Sequence, residues 1–387
     1  MLGLLQNEWL KFFKSKRFII FCISLIIIFF YGTFIVLNDA KKNRPDVKID
    51  ENTRVIFSIK DELKNENISK HREDELNVAI EKLEEENRAL EIESANEFTE
   101  NREYIKGKID LLKSNDIMNL SNTEKEDIKS ELKYYEYILS NDLLLQKNYE
   151  ITAFGDITKI IGKVSIILLP ILIILASCDC ISSEYDNLTI KQLLAKPVPR
   201  GKIFISKFIS TSIAIIGTVT FIEIVNFILI GLKLGFGSYK YPILVGTKYE
   251  LVNDILEKQI GSTNIIEAWK VIVLVWIIQI IFILTIVSVQ MMVSTFLKST
   301  VTSLSVSSIA VALISLITFY IPLPFIRKIL LAIFTTYSNG MYILTGELKA
   351  ILLNNSINLN LSIIVMTIWI IVSFVIGYRV FTKEDIL

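Results

Sequence analysis

The stretch FIIFCISLIIIFFYGTFIVL, residues 18–37, carries no charged side chain over twenty consecutive positions. A helix rises about 1.5 Å per residue, so this run crosses the roughly 30 Å hydrocarbon layer of a bilayer. It is too long for a signal peptide and no small-x-small cleavage site precedes the polar region after it, so we read it as a permanent span. Comparable runs occur at 164–176, 208–232, 271–297, 301–326 and 361–378. The composition agrees: 52% of the 387 residues are hydrophobic, and the mean hydropathy is +0.49. The expected fold is an all-α polytopic membrane protein of six transmembrane helices, with a large helical, coiled-coil hairpin-like insertion between the first two.

The formal net charge is zero, but it is unevenly spread. Residues 39–159 hold 29 acidic and 20 basic side chains, a net charge of −9, while Lys11, Lys14, Lys16 and Arg17 precede the first span. The positive-inside bias then places the N-terminus in the cytoplasm. An even number of spans returns the C-terminus there.

From these runs follow the expected boundaries: an N-terminal interfacial amphipathic helix at 1–17, the first span at 18–38, an extracytoplasmic helical domain at 39–159 and the second span at 160–181. A cytoplasmic loop occupies 182–207 and the third span 208–232, followed by an outer connection at 233–268. The fourth and fifth spans fall at 269–297 and 301–326, an outer interfacial segment at 327–360, the sixth span at 361–379 and a cytoplasmic tail at 380–387. Residues 1–17 also read as a plain extension of the first span. Within the insertion, Leu76, Ile80, Leu83, Asn87 and Leu90 follow coiled-coil spacing, and Ser121 with Glu124 forms a capping box opening another helix. A solvated spacer, a docking surface and a substrate vestibule are all open readings of this domain.

The loop SSEYDNLTIKQLLAKPVPRGKIFISK, residues 182–207, joins charge, a short apolar stripe and two prolines. Ile190, Leu193 and Leu194 share one face of a helix starting near Asn187. Pro197 ends it, because Lys196 before a proline is pushed out of the helical region. Pro199 opens a second helix running through Lys207 into the third span. A push on the first part moves the second.

On these residues the chain resembles the permease subunits of ABC-2 type ABC transporters. Their loop after the second span commonly reads Ser-Glu, an acid two residues later, Gly-Thr, leucines, then Pro-Val-x-Arg and a downstream Lys. Ser183, Glu184, Asp186, Thr189, Leu193, Leu194, Pro197, Val198, Arg200 and Lys207 fit that order, with Leu188 where the glycine usually stands. The resemblance implies that Glu184, Asp186, Thr189, Leu193, Leu194, Pro197 and Arg200 couple the chain to cytoplasmic ABC ATPase subunits. Those subunits would bind ATP and Mg; this chain would bind no cofactor. It implies a plasma-membrane location and a second permease copy, a homodimer most simply and a heterodimer otherwise. Membrane lipid is a further partner and nucleic acid is not.

The chain has no G-x-x-x-x-G-K-[ST] loop and no H-E-x-x-H pair, so it has neither a P-loop nor that zinc-protease signature. Cys178, Asp179 and Cys180 offer too few ligands for a metal, and His71, the only histidine, sits among charges. Trp9, Lys14, Arg17, Lys202 and Lys207 are the expected membrane-interface anchors. Glu223 is the ionisable residue deep in a span, with Asn226 on its face and Gln279 on the next span. These three either line a translocation path or hold helices together by hydrogen bonds. Two other functions stay open: a membrane sensor or scaffold whose insertion binds a ligand or partner, and an ion-coupled secondary transporter.

Overall fold

The computed structural model describes residues 2–64, 70–95, 102–114, 120–147, 149–190, 192, 198–252, 255–321 and 324–383. It is mostly helical and divides into two units: residues 1–33, 116–134 and 152–387 form one, and 34–115 with 135–151 the other.

In the first unit, α1 (Leu2–Lys14) is followed by α2 (Lys16–Lys42), whose later residues enter the second unit. Helices α3 (Pro45–Glu62), α4 (Lys70–Ala95) and α5 (Arg102–Ser114) belong to the second unit, and α6 (Asn122–Ser140) is shared between the two. The chain then makes α7 (Ala153–Ser165), α8 (Leu168–Ser177), α9 (Asp179–Asp186) and the 35-residue α10 (Arg200–Leu234). Four short strands follow: β1 (Pro242–Val245), β2 (Tyr249–Val252), β3 (Ile255–Lys258) and β4 (Asn264–Glu267). Next are α11 (Ala268–Leu297), α12 (Thr300–Phe319), α13 (Gly340–Thr345), α14 (Glu347–Leu352) and α15 (Leu359–Lys383).

Among the described residues five helices, α2, α10, α11, α12 and α15, are long and apolar enough to cross a membrane. The segment expected as the second span is instead a pair, α7 and α8, bent by 62°. Pro170 accounts for the break at Ile166–Ile167: it has no N–H to offer the Ile166 carbonyl, and its ring crowds that carbonyl. α12, which answers to the fifth expected span, is shorter than the 301–326 run, ending at Phe319; Pro322 lies outside the described residues.

α11 is the most enclosed of the five, 56% buried along its apolar stretch against 22–39% for the others. Its apolar side chains Val275, Ile278, Phe282, Ile286 and Met291 form the centre of the unit. Against α15 it packs through small groups: Ser288 donates to the Ile370 carbonyl at 3.0 Å, and a Cβ on Gly377 would come within 3.2 Å of the Met292 Cα. Close backbone approach of this kind is how apolar helices gain packing energy when lipid supplies no hydrophobic drive.

The β element departs from the all-α fold class expected, within the segment 233–268 read as an outer connection. β1 pairs antiparallel with β4, and β2 with β3. The strands are docked by backbone bonds, Gly246 N–H to Leu344 O at 2.7 Å and Thr247 N–H to Thr345 O at 3.1 Å. The first half of α6 clasps them from another side. Its buried Glu126 accepts from the Gly261 and Thr263 N–H groups, and Lys133 donates to the Thr263 carbonyl at 2.7 Å. The capping box read from the sequence opens this helix, with Ser121 N–H on Glu124 Oε2 at 2.8 Å and Glu124 N–H on Ser121 Oγ at 3.3 Å.

In the second unit, α3 and α4 run antiparallel, joined by Asn52 to Asn87 at 3.0 Å and Lys60 to Glu84 at 3.3 Å. Leu76 is buried on α4, while Ile80, Leu83, Asn87 and Leu90 are half-buried. The second half of α6 runs against α5, with Lys113 3.0 Å from Glu136 and Ile105, Ile109, Leu112 and Ile138 buried.

Gly346 tests the docking of the strands. Its φ is +95° and an added Cβ would strike the Thr247 backbone. Gly346→Ala is expected to cost about 2 kcal/mol through backbone strain and overpacking, seen as a lower melting temperature of the chain in detergent; an unchanged value would contradict this docking.

Candidate functional site

The site is built where α8 gives way to α9. The sequence predicts a helix starting near Asn187; α9 ends at Asp186, Leu188 makes a left-handed turn at φ +56°, and the residues described beyond it, Ile190 and Gln192, are helical. That left-handed conformation costs a branched residue about 1–2 kcal/mol, and glycine nothing. The position where the resembling permeases carry glycine is thus a turn that wants one. Ile190 is buried; Leu193, Leu194 and Pro197 lie outside the described residues. Pro199 caps α10, with Lys202 N–H on its carbonyl at 2.9 Å. From Arg200, which is half-buried, α10 continues unbroken through Lys207 into the apolar stretch.

One face of α9 turns towards α10 and α1. Lys207 Nζ lies 3.1 Å from Glu184 Oε1 and 3.1 Å from Glu8 Oε2. Lys11 Nζ reaches the same Glu184 oxygen at 3.2 Å, and the Thr189 hydroxyl donates to the other. Two carboxylates thus meet two ammonium groups at the start of α10. Lys207 was expected to extend to the headgroups, yet it is 4% exposed. Its ammonium turns inward because two carboxylates are there to receive it. Burial works against ionisation of Glu184, but the Lys207 charge, the Thr189 hydroxyl and Lys11 outweigh it and hold its carboxyl down at about 2. Arg17 pairs with Asp179 at 3.0 Å, and the Trp9 indole donates to the Ser210 carbonyl at 3.2 Å. Helix α1 therefore lies along the start of α10. Of the remaining expected anchors, Lys14 and Lys202 are exposed.

The other face of α9 turns towards the α11–α12 connection. Asp186 accepts from the Thr300 N–H at 2.9 Å and from its hydroxyl, and these bonds hold its carboxyl below the usual range. Lys298, at φ +52°, sits 5.5 Å over the Tyr185 ring. The Ser182 N–H donates to Ser294 Oγ at 2.8 Å.

Deeper in the helices, Gln279 Nε2 donates to Glu223 Oε1 at 2.6 Å. Both residues are nearly closed off, at 4% and 5% exposed. Asn226 instead pairs with Thr33 on α2 at 3.3 Å. The three residues therefore serve two separate interhelical contacts, α10 to α11 and α10 to α2. Gln279 Oε1 has no hydrogen-bond partner among the described residues. Sequence reasoning missed Glu8, Lys11, Thr33 and Thr300 as partners. The available signal was Glu8 and Lys11, one turn apart on the amphipathic α1.

Two predictions follow from the turn and the ion cluster. The folded pKa of Glu184 lies below its unfolded value of about 4.3, so the unfolded chain takes up the proton first. The stabilisation is complete above about pH 5 and disappears as pH falls to about 2. Glu184→Gln should lower the melting temperature at neutral pH, by an energy approaching the ~3 kcal/mol of a broken buried pair, and flatten this acid limb. Leu188 is 82% exposed, so Leu188→Gly removes little packing and should leave the chain unchanged or about 1 kcal/mol more stable. Leu188→Val, with its branched Cβ, should destabilise it in the same melting assay.

No curated protein matches the chain significantly. The family model described as ABC-2 family transporter protein matches residues 2–386. With nearly the whole length matched and five apolar helices of spanning length, this multi-pass membrane protein belongs to the ABC-2 transporter family.

Proposed function

We propose that the chain is the permease subunit of an ATP-driven exporter, working with separate cytoplasmic ATPase subunits and a second permease copy. Six spans fit this reading if the bent pair counts as one. The α7 end of that pair receives backbone bonds at the far end of α10, from Ala153 N–H to Gly235 O at 3.1 Å and Phe154 N–H to Phe236 O at 3.0 Å. Its α8 end leads into α9, which is bound to Lys207 near the opposite end of α10. The pair therefore traverses the depth that α10 traverses. The basic residues Lys11, Lys14, Lys16 and Arg17 favour the α1 end as cytoplasmic, which puts the β element outside the cell.

One observation carries the coupling role: α9 is fastened by Glu184 to Lys207 on the first turns of α10. ATP binding and hydrolysis by partner subunits would press on the segment after α9, and the charge cluster together with the unbroken α10 would carry that displacement into the membrane. Mg and ATP would reside in the partner. The substrate is a peptide or antimicrobial compound, a lipid or an ion.

Purification of the tagged chain from its native membrane is expected to bring down an ATPase. Arg200→Glu, at the start of α10, should leave ATP hydrolysis within about twofold while transport falls at least fivefold. Absence of any ATPase, or full transport by the variant, would overturn the coupling role. Glu223→Gln keeps a hydrogen-bonding group facing Gln279 but removes the charge; altered transport at equal expression places Glu223 on the path, and wild-type transport makes it a strut.

A further inference from the structure

α9 is a rod with two working faces. Cys180 and Glu184, one turn apart, meet α10: the Cys180 thiol lies 3.2 Å from Thr211 Oγ1, and Glu184 binds Lys207. Cys178, Ser182, Tyr185 and Asp186 follow i, i+4, i+7, i+8 spacing and so lie along the other side. All four meet the end of α11 or the start of α12. The Cys178 carbonyl accepts from Ser294 Oγ at 3.2 Å. Ser182 binds Ser294 and, through its hydroxyl, Thr300 Oγ1 at 3.3 Å. Tyr185 lies under Lys298, and Asp186 takes Thr300.

We propose that α9 divides the motion of the coupling segment between two helices, with Asp186 as the positioning residue that delivers it to α12. The inference rests on the permease reading above and adds a second output to it. Thr300 is the first residue of α12, so its N–H is one of the donors that the helix itself leaves without a partner. The Asp186 carboxylate occupies the electropositive helix end and binds the hydroxyl of the same residue, so the contact is directional as well as electrostatic. The adjoining connection is only Lys298 and Ser299, and Lys298 is left-handed. A two-residue turn gripped at Lys298 and at Thr300 has little slack. Displacement of α9 must either carry the start of α12 with it or break these contacts. Among helices bound to α9, α10 is held through buried ion pairs and α12 through its capping contacts, so the two outputs are separable by mutation.

The test uses the full chain with its ATPase in lipid nanodiscs, in a Cys22→Ser background. An environment-sensitive fluorophore is attached at Val301→Cys on α12 or, in a separate sample, at Lys202→Cys on α10; both native side chains are exposed. ATP with vanadate is expected to shift both reporters. Asp186→Ala should reduce the Val301 response at least threefold and leave the Lys202 response within about 1.5-fold, while Asp186→Asn, which retains an acceptor oxygen, restores it. An undiminished Val301 response, or equal loss at both reporters, would overturn the second output. Where Asp186→Ala does not accumulate, Thr300→Val removes the hydroxyl contacts to Asp186 and Ser182 but keeps the N–H bond to Asp186, and should give a smaller loss confined to Val301; no such loss counts against the proposal equally. Silence of both reporters in the unsubstituted chain would instead remove the permease reading on which it rests.

Discussion

The Lys207 ammonium, enclosed between Glu8 and Glu184, is the interaction on which the arrangement of the α1 end depends. An ammonium withdrawn from water costs several kcal/mol unless carboxylates replace its hydration. Two do so here, one from α1 and one from α9. Because removing either carboxylate leaves charge exposed to an apolar surround, three helices that are distant in sequence are obliged to meet at one point. Apolar packing alone imposes no such obligation, since a lipid-facing helix loses little by sliding along its neighbour. The cluster fixes which residues of α1 and α9 face the first turns of α10, and the Trp9 indole on the Ser210 carbonyl extends that register by one further turn.

At the other end of the helices main-chain groups take a larger part. The strands supply backbone donors and acceptors, and neighbouring elements take them up: Glu126 gathers two N–H groups, and Gly246 and Thr247 bind the carbonyls of Leu344 and Thr345. Lys349 adds its ammonium to the Gly246 and Thr247 carbonyls. The β element is therefore held through its own main chain, which meets both neighbouring backbone and the side chains of Glu126, Lys133 and Lys349. At Gly346 another backbone occupies the place of a side chain.

Much of the fold was legible because its signals are local. Runs of apolar residues at 18–37, 208–232 and 271–297 lie within α2, α10 and α11, and Ser121 with Glu124 is a capping box in fact as in sequence. What was not legible depends on partners remote in the chain. Lys207 looks like a headgroup anchor until Glu8, 199 residues away, is placed beside it. The strands at 242–267 are four residues each, too short for alternation to declare them. The bend in the second apolar segment was available from Pro170, yet hydropathy averages over a proline and reads a single span. Leu188 is a further case: the sequence marked it only as standing where the resembling permeases carry glycine, and its left-handed turn became visible in the fold.

The placement of charge also explains why the acidic pair of the loop could be picked out in the sequence while its partners could not. Glu184 and Asp186 are two apart in sequence, so on a helix they point in different directions. A sequence motif lists them together, as if both met the same partner. In the folded chain Glu184 goes to α10 and α1, and Asp186 to α12. Two carboxylates on different sides, with Cys180 on Thr211 and Ser182 on Ser294 beside them, oppose rotation of α9 about its own axis. Separating the acidic pair by a full turn would place both members on one face and lose the hold of Asp186 on α12.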